Sequence, residues 1–289
     1  MAANYLVRAT QDVVETWSVA RMPFEPKGWM REWRDALKSA LRGVDVPNGF
    51  LAGRYESASV AACDTENVLF YNLGGVFGAS TRHGLRFERL FGTAPSPEPL
   101  TTDAMHYHNY SVARPGEPFT CWTEANQLAA FANVTVPAVG ASSNPALIWL
   151  PVRQALTRSS AASHQGRLFA LRLRLEGPPV TGAASSLVKV LFDGVIAAFS
   201  AHDGSREDEV VLWLNDRFAY DMTLSRKLLQ SLEGDPLGTR RLLHPRAQGF
   251  QWAPDDDRCV AGELVITRSN QSRFRLSGEL FAVEPRPAS

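Results

Sequence analysis

His106, His108 and Tyr110 stand at alternate positions just after Asp103. Along an extended strand, alternate side chains share one face, so the two imidazoles and the phenol project together. An imidazole takes up and returns protons near neutral pH, which suits it to general acid–base catalysis. A carboxylate such as Asp103 beside the rings would orient them and raise their pKa. The segment therefore predicts a polar cleft in which His106, His108 and Asp103 are the catalytic groups. The opposite face, Tyr107, Asn109 and Ser111, is polar too, which suits an edge strand or the wall of a wet cleft.

Metal binding by this segment is not expected. Paired histidines of the cupin type are followed by a Glu four or five residues after the second His, and Val112 and Ala113 stand there. Two further groups of carboxylates remain. Asp255, Asp256 and Asp257 put three in one loop, where converging oxygens would hold a divalent cation and diverging ones a solvated turn. Asp64 and Glu66 form a second pair, flanked by an apolar run. Arg206 to Glu209 reads as a charged loop or the start of a helix.

Familiar catalytic signatures are missing. No Gly-rich loop ends in Gly-Lys-Ser/Thr, and Gly74-Gly75-Val76-Phe77-Gly78 lacks the spacing of a dinucleotide fingerprint. There is no Gly-x-Ser-x-Gly elbow. Three residues separate Lys189 from Asp193-Gly194, where the Lys-x-Asp-Gly of nucleotidyl-transferring ligases allows one. No cofactor is named by any motif.

Composition narrows the partners. The 289 residues carry 30 basic and 30 acidic side chains, a net charge of zero. That disfavours a nucleic acid, whose phosphates supply most of the affinity of their binders, and a polybasic membrane attachment. The expected partner is a small molecule or another protein. Arg outnumbers Lys heavily, with only Lys27, Lys38, Lys189 and Lys227, and Ala is abundant, as in GC-rich bacterial sequences. Cys63, Cys121 and Cys259 form no CxxC pair, and Arg8, Gln11 and Asp12 interrupt what a signal peptide would need as an apolar core. A cytoplasmic, bacterial-type protein is expected.

The elements that must position these groups are read from periodicity. Trp29, Trp33, Leu37 and Leu41 recur every fourth residue, which predicts a helix over 27–42 with a buried face. Residues 53–62 and 67–73 read as a hairpin around Cys63–Glu66, the run Val68–Tyr71 as a central strand. Strands are also expected at 84–91, 106–112 and 169–175, the last with Leu171, Leu173 and Leu175 alternating with Arg172 and Arg174. Helices are expected at 124–132 capped by Thr123, at 152–157 and at 223–232 capped by Thr223; 187–202, with Lys189 and Asp193 paired four apart, reads as a helix, while Val188–Phe192 before Asp193-Gly194 also reads as a strand ending in a turn. Residues 260–267 and 274–283 read as a terminal hairpin.

These elements do not alternate in regular βαβ order and show no internal repeat. They predict an α+β fold, with mostly antiparallel sheet and helices packed on one side. A single domain over 1–289 is expected, or two lobes, 1–158 and 167–289, joined by the small polar loop 159–166. Function is read in two ways: a hydrolase or transferase with its cleft near His106 and His108, or a noncatalytic accessory module that binds a protein or ligand.

Overall fold

The computed structural model describes all residues except 1–3, 59–62, 93–96, 98–99, 101–105, 141, 159–163, 180–182, 231–234 and 288–289. In chain order the strands and helices are β1 (Tyr5–Ala9), β2 (Val13–Ser18), α1 (Trp29–Arg42), β3 (Phe50–Ser57), α2 (Thr65–Leu69), β4 (Gly84–Phe91), β5 (His106–Val112), β6 (Trp122–Val136), α3 (Ala146–Ala155), β7 (Thr157–Arg158) and β8 (Phe169–Gly177). They continue with α4 (Ala184–Ala198), β9 (Ala201–His202), α5 (Glu207–Phe218), α6 (Met222–Leu229), β10 (Thr239–Arg240), β11 (Leu243–Arg246), β12 (Gly249–Trp252), β13 (Cys259–Arg268) and β14 (Phe274–Pro285). Ten strands form one sheet in the order β1-β2-β5-β3-β4-β13-β8-β14-β6-β7. Within this sheet the β3/β4 and β13/β8 pairs are parallel and the other described pairs antiparallel, so the fold is a mixed, mostly antiparallel α+β architecture.

The topology repeats although the sequence does not. In the first half, β2-α1-β3-α2-β4-β5 gives the strand order β2-β5-β3-β4 with β3 and β4 parallel. In the second, β6-α3-β8-α4-β13-β14 gives β6-β14-β8-β13 with β8 and β13 parallel. The halves meet at β4 and β13, which pair antiparallel with Phe87 opposite Gly262, as a pseudo-twofold axis through the sheet requires. Gly262 has no alternative there: a Cβ would lie 2.2 Å from Phe87 Cζ. The topological division falls between β5 and β6; of the joint expected at 159–166, residues 159–163 lie outside the described residues.

Several expected elements are present. Helix α1 buries Trp33, Leu37 and Leu41, while Trp29 is half-buried and stacks on Tyr5 at 6.3 Å. Strands β4 and β5 span 84–91 and 106–112, and β8 buries its leucines as the alternation requires. The ambiguous stretch 187–202 is mainly helix: α4 is apolar nearly all round, and is correspondingly buried all round. It lies so close to α3 that a Cβ on Gly194 would come within 2.6 Å of Ile148 Cβ. No helix among the described residues is long and apolar enough to cross a membrane.

Four expectations are corrected. Residues 67–73 are not a strand: α2 and a 3-10 turn at Tyr71–Leu73 bury Val68, Leu69 and Phe70, and a short buried helix shares its apolar run with a buried strand. The segment 124–132 belongs to the strand β6, whose pairing with β14 overrides an alanine-rich local preference for helix. β13 and β14 do not pair as a hairpin, because β8 lies between them and bonds both. The cap of α6 is Asp221, whose carboxylate accepts from the Leu224 amide at 2.7 Å, and not Thr223.

Candidate active site

The expected histidine segment forms as a strand, with His106, His108 and Tyr110 on one face. That face is packed. His108 is fully buried, with Trp33 edge-on at 5.7 Å and Tyr55 at 5.2 Å, and its Nε2 has no partner. His106 Nδ1 meets the Tyr55 hydroxyl at 2.7 Å. Burial, and then Arg21, push the His106 pKa down to about 4; burial and His106 push His108 to about 3. Both rings are therefore neutral at physiological pH. Neither lines either of the two large cavities. Asp103 lies outside the described residues.

The carboxylate groups that were separate in sequence meet. Asp64 precedes α2 and Glu66 lies in its first turn; Lys189 and Asp193 are one turn apart on α4; Asp256 opens the short 3-10 turn Asp256–Arg258 before β13. One oxygen each from Asp64, Glu66 and Asp256 lies within 4.8 Å of the others. Lys189 Nζ stands 3.0 Å from Asp193, 3.6 Å from Asp64 and 3.9 Å from Asp256. Asp64 leaves the backbone of α2 uncapped and accepts instead from the Asn67 amide.

Burial sets the electrostatics. Glu66 is 1% exposed and its Oε1 has no hydrogen-bond partner. Burial, aided by Asp256, Asp64 and Asp193, outweighs Lys189 and holds its pKa well above the carboxylate range. Burial first, then Asp64 and Asp193, push Asp256 up to about 8. Burial raises Asp193 to about 6 against the pull of Lys189. Burial also opposes the Lys189 charge, but Asp193, Glu66, Asp64 and Asp256 overcome it and raise its pKa. Behind the cluster, Cys259 is buried, and burial, Glu66 and Asp256 keep it a thiol.

The cluster opens on a cavity of about 660 Å³ lined by Asp64, Lys189, Asp193, Asp256 and Asp257 among others, with Glu66 behind them. Tyr71, Phe250 and Trp252 supply its aromatic walls and Arg240 its second cation. Trp252 is fixed by a 2.9 Å hydrogen bond from Nε1 to Asn144 Oδ1 and by Trp149, 5.4 Å away. Of the Asp triplet, Asp255 is taken up by Arg240 and by Arg258 at 3.4 Å, whereas Asp256 joins the cluster. A hard cation with ligands at about 2.4 Å would span the Asp64, Glu66 and Asp256 oxygens. In the structure as it stands, the ammonium of Lys189 supplies the positive charge beside them.

Such an arrangement holds a proton near neutral pH beside an ammonium and open space, the means of general acid catalysis. Each member carried a weak signal in the sequence: the Asp64/Glu66 pair, the four-residue Lys189–Asp193 spacing and the Asp triplet. Their convergence was hidden because 67–73 reads as a strand, which would carry Glu66 away from α4. Compared with known proteins, the chain matches no family, no curated protein and no solved structure.

Proposed function

We propose that the chain is an enzyme of hydrolase or transferase type whose active site is the cavity bounded by Asp64, Lys189, Asp193 and Asp256. The observation that carries this reading is Glu66, buried with an unpartnered Oε1 and set against two further carboxyl groups beside a cavity. A buried polar atom without a partner costs free energy, and native structures keep few of them. Glu66 and Asp256 share a proton, which Asp256 passes to the leaving group as water or an acceptor hydroxyl attacks and the bond to that group breaks, while the Lys189 ammonium, held by Asp64 and Asp193, steadies developing negative charge.

The cavity favours a neutral or cationic substrate, because four carboxyl groups line it against Lys189 and Arg240. Tyr71, Phe250 and Trp252 would take its apolar face. In this reading His106 and His108 are neutral packing residues of the sheet. The reading also takes the chain as one cytoplasmic, bacterial-type domain with helices on one side of the sheet; three buried free thiols support the reducing compartment.

The test is a panel of chromogenic esters, amides, phosphoesters and glycosides with the wild type, Glu66→Gln and Asp256→Asn. Turnover that falls about 10²–10⁴-fold in both variants, with the melting temperature preserved, is the expected result. Turnover unaffected by either substitution would overturn the assignment, as would a panel without turnover in which ligand binding is insensitive to Trp252→Ala.

A further inference from the structure

The sheet has a second face, away from α1 and the main core, and the topological repeat shows that its two halves are finished differently. In the first half, β2 and β5 place Trp17 and Tyr107 there, ring centroids 5.0 Å apart, with Leu6 and Leu100 packed on them. The strands in the same places in the second half are β6 and β14. They carry Ala130, Ala132 and Ser277 instead, and a cavity of about 740 Å³ stands there. Where one half fills its surface with its own aromatic pair, the other leaves room for a small molecule.

The charge of this cavity is specific. Arg86 binds Glu263 at 2.6 Å, and Arg172 binds Glu263 at 2.8 Å and Glu124 at 2.5 Å. Arg172 also donates to the Glu117 carbonyl at 3.0 Å and lies 4.5 Å over the Phe119 ring. Two guanidinium groups thus balance two carboxylates in a fixed wall. Glu279 accepts from the Gln127 amide at 2.8 Å. Arg174, next along β8, lines the same cavity, and has no hydrogen-bond or ion-pair partner among the described residues.

We infer that this cavity binds a small monocarboxylate with an apolar body, its carboxylate on the Arg174 guanidinium and its body over Ala130, Ala132 and Val265. A planar guanidinium matches a carboxylate through two parallel hydrogen bonds. Glu279, the lining glutamate that no guanidinium among the described residues balances, penalises a second negative charge, which disfavours phosphate and dicarboxylates. The body is ring-sized, because it occupies the place that Trp17 and Tyr107 fill in the first half. This site shares no lining residue with the carboxyl-lined cavity and does not depend on its function.

The test is titration calorimetry and ligand-observed NMR on the full chain, with benzoate, hexanoate and inorganic phosphate as probes. Benzoate is expected to bind at millimolar affinity or better, hexanoate more weakly, and phosphate not to compete. Arg174→Ala should weaken benzoate at least about tenfold, the loss of one charge-assisted contact. Arg174 is exposed and unpaired, so that variant should fold as the wild type does. Ser277→Tyr, which restores an aromatic ring as in the first half, should abolish binding. No benzoate binding at about 10 mM, equal binding to Arg174→Ala, or equal competition by phosphate would each overturn the inference.

Discussion

Raising the pH from 6.5 to 8 should destabilise the native chain by removing a proton from the Glu66–Asp256 pair. Free carboxyl groups in the unfolded chain titrate near 4, whereas Asp256 is raised to about 8 in the fold and Glu66 is raised as well. Between these limits the native state holds more protons than the unfolded state. Stability is thus greatest toward the acid side of the window and is lost as pH rises through the folded pKa. One proton held corresponds to about 1.4 kcal/mol per pH unit. The groups facing the pair are Asp64 beside it, Lys189 and Asp193 on α4, and Cys259 on β13. Asp193, at about 6, releases its proton mainly below the window. His106 and His108 act with opposite sign: their lowered pKa values cost stability as pH falls below about 6.5, where the unfolded imidazoles charge. Unfolded imidazoles are still losing their charge at the acid end of 6.5–8 and unfolded thiols begin to lose protons at the alkaline end, so the carboxyl pair is read as the difference between the wild type and variants that lack it. Urea unfolding at half-unit steps, in chelator, should show stability falling more steeply in the wild type than where the pair is broken, by about 1–1.4 kcal/mol per pH unit. Glu66→Gln and Asp256→Asn should flatten the slope. Equal slopes in all three proteins would refute the shared proton.

Trp33→Ala should cost about 3–5 kcal/mol in urea unfolding, because it empties a fully buried site and removes the 2.8 Å bond from Nε1 to Thr16 Oγ1; an unchanged midpoint would contradict the packing of α1. Arg153 holds Asp235 at 2.6 and 3.0 Å and also donates to the carbonyls of Leu228, Ala198 and Gln230. Arg153→Leu should destabilise by about 3–5 kcal/mol by taking the guanidinium from the buried Asp235, and the double variant with Asp235→Leu should recover part of this. Gly262→Ala should cost about 1–3 kcal/mol by forcing Phe87 and Phe192 aside at the pseudo-twofold axis, and Phe87→Leu should relieve part of it in the same chain. Additive losses there would speak against the contact.

What the residues revealed in advance follows the strength of the local pattern. The four-residue spacing of α1 and the alternation of β8 each match one periodicity, and both elements formed as read. Residues 67–73 and 124–132 carry no decisive period. The first forms a short helix and a 3-10 turn whose apolar run a buried strand would share, and pairing with β14 makes the second part of the fifteen-residue strand β6. The repeated topology left no trace in residue identity, because Trp17 and Tyr107 in one half answer to small residues in the other. His106 and His108 share a face, as alternation demands, yet whether that face meets a cavity or a helix is set by α1, some seventy residues earlier. The carboxyl cluster draws on three segments, and only their packing against α4 brings Glu66 to Asp256.

The proton in that cluster is the centre of the account, and carboxyl-carbon NMR observes it directly. With ¹³C-labelled Asp and Glu, and with Glu66→Gln and Asp256→Asn to assign the signals, the side-chain carbons are followed from pH 4 to 9. At least one of the two should titrate above pH 6, and its midpoint should move when the other is replaced by the amide. If both titrate in the ordinary carboxylate range near 4, independently of each other, the cluster holds no proton at neutral pH, and the general-acid assignment is wrong.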